Sequence, residues 1–445
     1  MHPLPSLRLR TLGWVVAILA SVAGFAFEGH CAVIGTNTPA LPLSPSRIAA
    51  LPEPDRGRWT EYMQRSARQL VRDRAFLQRE LRTQQVTNLT SPQEARSKAW
   101  MSPDRSADYY RQAEARRVAE AIVTFQTPAG GWSKNIDMTR PRHPGMLFGV
   151  ANLSRFQGTE DFDLSDASWN YIGTFDNDAT VMQLRFLARV IDAYATDAPS
   201  EAGLTKAFLQ GIQYILDAQY PNGGWPQVWP LQGNYHDAIT FNDNAIVNVL
   251  ALLRNVSMGT NEFRFVPDAI RNQAAESFKK GLDCVLKTQV RTNGGLTVWP
   301  QQSDPLTLQP TSARNFEMVS LASAESANLM LFLMQLPKPS PEIVESVHAA
   351  AAWFEKTALR DVAYRRANDR GRVLLPADGE GPLWARYYEI GTDRPIFGDR
   401  DKTIHDKVDA VSEERRIGYS WFGDGPEDAL ERFETWRQRF PLRKN

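Results

Sequence analysis

Two short acidic stretches are the part of this chain whose residue types and spacing best suit chemistry. The first reads Thr-Phe-Asp-Asn-Asp-Ala over residues 174–179, and the second reads Thr-Phe-Asn-Asp-Asn-Ala over residues 240–245. Each stretch directly precedes an apolar helical pattern, where a single Asp or Asn is often only a helix cap. Because the stretch recurs position for position, we favour a polar or metal site over capping alone.

The carboxylates of these stretches are candidate ligands for a hard cation. Carboxylate and amide oxygens are the ligands that Ca²⁺ prefers, so we predict a Ca²⁺ site among Asp176, Asp178 and Asp243. The spacing of an EF-hand is absent, and the N-terminus of a helix repels cations. We therefore expect modest affinity for Ca²⁺ unless an anionic ligand completes the site.

Cationic and aromatic side chains are concentrated in irregular segments elsewhere in the chain. A single Arg in such a segment is most simply a solvated or salt-bridged surface residue. Taken together, the segments suit the recognition of a carboxylated sugar, because Arg grips carboxylates with two hydrogen bonds and aromatic faces stack on sugar rings. The segments are residues 131–135, 310–318, 382–389, 398–400 and 415–421.

A recurring glycine-rich turn indicates which elements position these residues. Gln-Thr-Pro-Ala-Gly-Gly-Trp at residues 126–132 recurs as Gln-Tyr-Pro-Asn-Gly-Gly-Trp at residues 219–225, and a weaker copy at residues 289–296 has Leu in place of Trp. Each copy follows an apolar helical pattern, which Gly can end in a left-handed conformation. Such helical hairpins predict an all-α fold, either a closed α/α toroid with long irregular loops or an open solenoid. Unequal copies with long insertions favour the toroid.

Composition excludes several classes of protein. The 445 residues contain 51 Lys and Arg and 51 Asp and Glu, so no overall charge favours nucleic acid or a membrane surface as partner. The two cysteines exclude a disulfide-rich scaffold and have no metal-ligand spacing. The P-loop, the dinucleotide fingerprint and the Gly-x-Ser-x-Gly motif are absent. We expect a monomer.

The N-terminal region has the pattern of a secretory signal. Residues 1–26 combine two Arg, an apolar run and small residues near its end, and we expect cleavage and export to the periplasm or the medium. An uncleaved anchor is the alternative, but no stable membrane anchor is expected after cleavage. Residues 27–104 are predicted to be a linker and an exposed helix, followed by a catalytic domain over residues 105–445.

These motifs together resemble the polysaccharide lyase family 10 pectate lyases. The resemblance covers residues from about 105 to 440 and follows the family's order of motifs. It implies an (α/α)₃ toroid, dependence on Ca²⁺, and cleavage of polygalacturonate by β-elimination to unsaturated oligogalacturonides. The matching motifs are residues 126–135, 174–180, 220–227, 239–245, 312–317, 382–387, 397–400 and 416–421.

The resemblance also implies roles for single residues. In the family's reaction an arginine removes the C5 proton beside a uronate carboxylate, and the glycosidic oxygen leaves from C4; this base carries over to Arg314. Arg386 and Arg400 carry over as carboxylate-binding residues, and Lys134 is a similar candidate. A cation on the carboxylate would stabilise the charge that develops during elimination. Further expected substrate-binding residues are Asn177, Asn242, Asn315 and Tyr419.

Two other classes of protein remain as alternatives. Terpenoid cyclases are also α/α toroids with Gln-x-x-x-Gly-x-Trp repeats, but the ring predicted here is short and Arg and Lys crowd its motifs. A carbocation pocket would instead need aromatic and acidic residues. A non-catalytic uronate-binding protein is the third possibility, against which the intact Arg314 and the acidic residues argue.

Overall fold

The computed structural model describes residues 32–95, 101, 105–149, 173–194, 202–367 and 371–442. The predicted signal peptide, residues 1–26, lies outside the described residues. The apolar faces of the longer helices share one continuous buried core with the aromatic residues of the turns. The helices are α1 (Pro45–Ala49), α2 (Glu53–Thr83), α3 (Ala107–Tyr110), α4 (Ala113–Thr124), α5 (Val181–Ala193), α6 (Ala202–Ala218), α7 (Ala245–Met258), α8 (Asp268–Thr288), α9 (Ser323–Met334), α10 (Pro341–Thr357), α11 (Glu413–Gly418) and α12 (Gly425–Arg439).

Short strands lie between these helices and pair only with antiparallel neighbours in the described residues. They form one three-stranded sheet, β1-β14-β13, and the pairs β2-β3, β4-β7, β5-β6, β8-β12, β9-β10 and β11-β15. The strands are β1 (Val33–Thr36), β2 (Gly173–Thr174), β3 (Val228–Trp229), β4 (Ile239–Thr240), β5 (Arg291–Thr292), β6 (Gly295–Leu296), β7 (Gln302–Ser303), β8 (Leu321–Ala322), β9 (Val362–Ala367), β10 (Gly371–Pro376), β11 (Trp384–Ala385), β12 (Tyr387–Tyr388), β13 (Phe397–Gly398), β14 (Thr403–His405) and β15 (Phe422–Gly423).

The prediction of an all-α fold, an (α/α)₃ toroid of helical hairpins, is therefore wrong as a fold class. The described residues mix helices with seven small sheets. Most of these strands contain only two or three residues. A strand is recognised in a sequence by apolar and polar residues alternating over at least four positions, so strands this short leave no such pattern.

Hydrogen bonds from glutamine explain why the glycine-rich turn recurs. Gln126, Gln219 and Gln289 each donate from Nε2 to a carbonyl of their own turn and to a carbonyl of a following helix. These helices are α6, α8 and α10, so each glutamine ties the end of one helix to the next helix of the repeat. The donor–acceptor distances lie between 2.8 and 3.1 Å.

All three copies of the turn contain an equivalent tryptophan. In the third copy, the sequence pattern does not reveal which tryptophan this is. Trp132 and Trp225 donate from Nε1 to carbonyls of the helices that precede them, α4 and α6. In the third copy the equivalent bond comes from Trp299, which donates to a carbonyl of α8 over 2.7 Å. Leu296, which aligns with the other tryptophans in the sequence, does not occupy their place because the third turn is longer.

Gly223→Ala is expected to destabilise the fold much more than the same change in the third turn. Gly223 has a φ of +96°, and a Cβ there would overlap the carbonyl of Lys280 in α8. Gly294 has a similar φ of +83° but faces open space. The backbone conformation alone costs Ala about 1–2 kcal/mol, and the overlap adds roughly 1–3 kcal/mol. Urea unfolding of both variants measures the difference, and equal losses would contradict this account.

Residues 32–83 pack against the rest of the described structure. This packing is closer than expected for the linker and exposed helix that the sequence predicts. Strand β1 pairs with β14, and α2 buries one stripe that includes Trp59 and Tyr62. The Tyr62 ring lies 4.8 Å from that of Tyr220, and its hydroxyl donates to the Ala218 carbonyl over 2.9 Å. Only four of the 31 residues of α2 are buried, which is too sparse a pattern to indicate burial from the sequence.

Asp73→Asn is expected to stabilise the protein at alkaline pH. Burial raises the pKa of Asp73 in α2 to about 7, against a hydrogen bond from Gln69 that lowers it. The folded state therefore binds this proton more tightly than the unfolded chain, and the associated stability is lost as the pH rises through 7. Asn remains neutral, so the free energy of unfolding should rise by about 2–4 kcal/mol at pH 8 and by less at pH 5.

Denaturant unfolding at both pH values tests this expectation, with Glu61→Gln as the matched control. Glu61 is on the same helix but is exposed, so its substitution should change the free energy of unfolding little at either pH. A gain for Asp73→Asn that does not depend on pH would contradict the titration of Asp73 as its cause.

Among the helices that the structure describes, none combines the length and the apolar character needed to span a lipid bilayer.

Candidate active site

Three small sheets place the starts of three helices beside one another. Strands β2, β4 and β8 lead into α5, α7 and α9, and each strand pairs with a strand from another loop. The turn Asp176–Asp178 contacts the turn Asn242–Asn244, and the latter also contacts α9. The two acidic stretches of the sequence therefore meet at one place.

A left-handed residue in each turn gives the two stretches the same local shape. Asn177 has φ 52° and ψ 41°, and Asp243, its equivalent in the repeat, has φ 49° and ψ 33°. Asn and Asp adopt this conformation more readily than other side-chain-bearing residues. The shared conformation brings the carboxyl groups of Asp176 and Asp243, which are not equivalent in the repeat, into hydrogen-bonding contact.

Asp176 and Asp243 form a buried acidic pair with unequal pKa values. Burial alone would raise the pKa of Asp176, but the ion pair with Lys134, 2.5 Å from Nζ to Oδ2, holds this pKa well below its usual range. Burial and then the charge of Asp176 raise the pKa of Asp243 to about 7. Of the two carboxyl groups, Asp243 is therefore the one that takes up a proton more readily.

Arg314, whose side chain is 34% exposed, and the buried Glu317 form a second ion pair, on the wall of a cavity that Asp176 and Asp243 also line. Glu317 accepts from Nε of Arg314 over 2.9 Å and from Nη2 over 2.6 Å, a two-bond grip. Burial opposes both charges, but each partner outweighs it: the pKa of Arg314 is raised well above its usual value, and that of Glu317 falls to about 2. Arg314 is thus firmly cationic in this arrangement.

Arg386 is linked to the acidic pair through the side chain of Asn242. Its Nη2 donates to Glu325 over 2.7 Å and to the Asn242 side-chain oxygen over 3.3 Å. The Asn242 amide nitrogen in turn donates to Asp176 over 3.3 Å. The Arg386 guanidinium lies 4.8 Å from the ring centroid of Tyr419, so an aromatic face supports it.

Six of the eleven residues predicted for the site, including Arg314, line one cavity. Tyr419 joins the network behind its wall, because its hydroxyl donates to Glu317 over 2.6 Å. Polar side chains dominate the lining, and acids stand opposite cations. The lining residues are Lys134, Asn135, Asp176, Asn177, Gln227, Tyr235, Asn242, Asp243, Gln301, Gln302, Ala313, Arg314 and Glu317.

Three predicted site residues are turned elsewhere. Asp178 accepts from Asn248 over 2.9 Å and lines a neighbouring cavity instead. The Asn315 amide donates to the backbone carbonyl of Arg400 over 2.8 Å, which ties two loops together. The Arg400 guanidinium pairs with Glu414 at 3.0 Å and does not line the cavity described above.

The sequence analysis missed the acidic partners of the two arginines. Glu317 follows Arg314 by three residues inside a segment already noted for its polarity, and that spacing was an available signal. Glu325 stands alone at the start of the apolar helix α9 and gave no such signal. Gln301 was missed as well, although it donates to both Asn242 and Glu317.

A hard cation would find part of its ligand set here. Among the described residues, no three Asp, Glu, His or Cys side chains are arranged to hold a metal ion. The acidic pair nevertheless offers two carboxyl groups beside the amide of Asn242. The donor set fits Ca²⁺ only if a bound anion supplies further oxygen ligands.

Comparisons with known proteins agree on one class. A family profile described as pectic acid lyase matches residues 126–430. A solved structure of a mutant family 10 polysaccharide lyase from Cellvibrio cellulosa, in complex with trigalacturonic acid, is 30% identical with a TM-score of 0.62 and covers 74% of this chain and 95% of that chain. A second structure of a family 10 polysaccharide lyase from that organism is 29% identical with a TM-score of 0.62 and covers 77% and 98%. No curated protein matches the chain.

These comparisons identify the chain as a polysaccharide lyase. The chain belongs to the pectic acid lyase family, which confirms the resemblance drawn from the sequence motifs. Membership of this family argues against both the terpenoid cyclase and the non-catalytic binding protein.

Proposed function

We propose that this chain cleaves polygalacturonate by Ca²⁺-dependent β-elimination, removing the C5 proton and breaking the C4–O bond to give unsaturated oligogalacturonides. One observation carries the proposal: Asn242 lies between the acidic pair and the arginine cluster, which consists of Arg314 and Arg386. Asn242 donates to Asp176 and accepts from Arg386. A uronate carboxylate beside Asn242 would face a cation site on one side and arginine on the other. The trigalacturonic acid bound to the similar lyase is a ligand of this chemistry.

Asp176 and Asp243 would hold the Ca²⁺ ion, with Asn177 and Asn242 near it and the substrate carboxylate as a further ligand. Bound there, Ca²⁺ would supply positive charge to stabilise the charge that develops on the carboxylate as C5 loses its proton. Arg386, which donates to Asn242, would bind the same carboxylate from the other side. Lys134 lowers the pKa of Asp176 and so keeps its carboxylate ionised, which is the form that can bind Ca²⁺.

Arg314 is the proposed base, and its contacts set a condition on that role. While Glu317 grips the guanidinium, the raised pKa keeps Arg314 protonated and unable to accept the C5 proton. Proton abstraction therefore requires the ion pair to loosen when substrate and cation bind. Because a guanidinium loses its proton only at high pH, we expect the rate to rise with pH across the alkaline range.

The remaining predicted site residues do not line the cavity, and we propose supporting roles for them. Asn315, on the loop that carries Arg314, and Arg400, on the loop bonded to it, would support substrate binding, and Asp178 would act from the neighbouring cavity. The chain would act as a monomer, outside the cytoplasm after removal of residues 1–26. An extracellular plant polymer as substrate is consistent with that location.

The ultraviolet absorbance of the unsaturated product tests the proposed function. Purified protein is incubated with polygalacturonate or with a neutral galactan, in added Ca²⁺, in EDTA, and in EDTA followed by excess Ca²⁺. We expect absorbance to rise only with the uronate polymer, to stop in EDTA and to return with Ca²⁺. No rise in Ca²⁺ would sink the lyase proposal, and a rise that EDTA leaves unchanged would remove Ca²⁺ from it.

A further inference from the structure

The first described residues of the chain reach the active-site loop from outside the region that defines the family. Residues 33–49, here called the N-terminal strap, contain strand β1 and helix α1 and precede the family match at residues 126–430. Strand β1 pairs with β14 of the three-stranded sheet. This places the strap beside two loops at once, the one that carries Arg314 and the one that carries Arg400.

Asn37 is the strap residue that connects these loops. Its side chain is 5% exposed, and Nδ2 donates to the backbone carbonyl of Arg314 over 3.0 Å and to that of Asn315 over 2.9 Å. Its backbone N–H donates to the carbonyl of Lys402 over 2.7 Å. An amide nitrogen carries two hydrogens, and both are used on two consecutive carbonyls of the Arg314 loop.

Other strap residues contact the same loop on the N-terminal side of these bonds. The Ser312 hydroxyl donates to the carbonyl of Thr38. Arg47 pairs with Asp304 at 2.5 Å, further back along the loop. Ala40 packs against Ala313 and Tyr235, both of which line the cavity. The strap therefore holds the loop from residue 304 to residue 315.

The hydrogen bonds from Asn37 reach the backbone of the turn that orients the Arg314 side chain. The Arg314 carbonyl also accepts from the backbone N–H of Glu317 over 2.8 Å, which closes the turn that aligns Arg314 with Glu317. Loss of Asn37 would take one hydrogen bond from each of two carbonyls in a buried loop, and a buried group that loses a partner is costly. The turn would then relax, and the guanidinium would move with it.

We propose that Asn37 is a positioning residue for the elimination reaction and that the N-terminal strap is part of the active-site structure. This inference rests on the proposed function, because Arg314 is the group being positioned. Asn37 acts only through the backbone of residues 314 and 315. Cleavage after residue 26 would leave the whole strap in the mature chain.

The test compares Asn37→Asp and Asn37→Ala with Thr36→Ala in the full-length protein. Asp has nearly the shape of Asn but presents two acceptors to the carbonyls, and Ala removes the contact. Thr36 is an exposed neighbour in β1, so its substitution serves as the control. A misplacement of this kind can cost up to about a hundredfold in rate, so we expect kcat to fall ten- to a hundredfold in both Asn37 variants, with KM within about twofold of wild type.

A purely structural role gives a different result. The thermal midpoint of the Asn37 variants would fall, while their kcat per folded molecule would match that of the wild type. The folded fraction is measured by near-ultraviolet circular dichroism. That outcome overturns the proposal. Unchanged kcat with an unchanged midpoint overturns it as well. Hydrogen–deuterium exchange is the second readout, and faster exchange over residues 311–318 in both Asn37 variants, but not in Thr36→Ala, is expected.

The two proposals fail in distinguishable ways. If wild-type protein gives no unsaturated product, the proposed function is wrong, and hydrogen exchange still decides whether Asn37 orders the loop. If the wild type is active and the Asn37 variants exchange residues 311–318 at the wild-type rate, the positioning role is wrong while the lyase activity stands.

Discussion

Arg314→Lys is expected to lower kcat on polygalacturonate by about a thousandfold. A positioned general base contributes roughly 10²–10⁴ in rate, and lysine cannot reproduce the planar two-bond grip that Arg314 makes on Glu317. A buried Glu317 that loses this grip would also repel a substrate carboxylate. The variant keeps a positive charge, so the loss would reflect geometry and proton transfer and not charge alone.

The matched control for this variant is Arg437→Lys. Arg437 pairs with Glu434 at the same three-residue spacing, but it is half exposed on α12. The control should retain wild-type kcat, since exposed ion pairs contribute little to stability. The measurement is the rate of unsaturated product formation from neutral to alkaline pH. Near-normal activity of Arg314→Lys at neutral pH would remove Arg314 as the base.

Asp176→Asn is expected to abolish most of the activation by Ca²⁺. The substitution removes the carboxylate that stays ionised in the acidic pair and leaves the ammonium of Lys134 enclosed without its ion-pair partner. Truncating one partner of a buried charge pair costs about 2–5 kcal/mol of binding free energy, so we expect the Ca²⁺ concentration for half-maximal activity to rise roughly a hundredfold or more. Lys134 would then itself repel a cation.

Asp178→Asn provides the comparison within the same stretch of sequence. Asp178 lines the neighbouring cavity and bonds to Asn248, so its substitution should raise the required Ca²⁺ concentration by less than about fivefold, the scale of one ordinary hydrogen bond. The measurement is activity against free Ca²⁺ for both variants. Equal effects would show that the acidic stretch acts as a whole and that the orientation of Asp178 found here is not the working one.

The position of the acidic site could be predicted because a repeat in the sequence reports a repeat in structure. The stretches at residues 174–179 and 240–245 each follow a short strand and precede a helix, so equivalent backbone turns meet. Which side chains face each other could not be predicted. Asn177, Asp178 and Asp243 all have left-handed φ values, and conformations of this kind depend on the strands around them.

Features that depend on distant parts of the chain were out of reach of the sequence. Glu325 belongs to a third helix start that has lost the Asx pattern of the other two. Asn37 contacts a loop 277 residues further on, and nothing in its local sequence indicates this. Most of the small sheets were missed because pairs of two-residue strands are set by the loops that approach each other and carry no local alternation.

Calorimetry of Ca²⁺ binding, with and without an oligogalacturonate, tests the central claim most directly. The claim is that the acidic pair and the arginine cluster are one site that a uronate carboxylate completes. Wild-type protein would be used near neutral pH, where the rate is expected to be low, and ultraviolet absorbance would confirm that the ligand is not consumed. We predict weak binding of Ca²⁺ alone and at least tenfold tighter binding with the oligogalacturonate present. Equal affinity under both conditions would contradict the account.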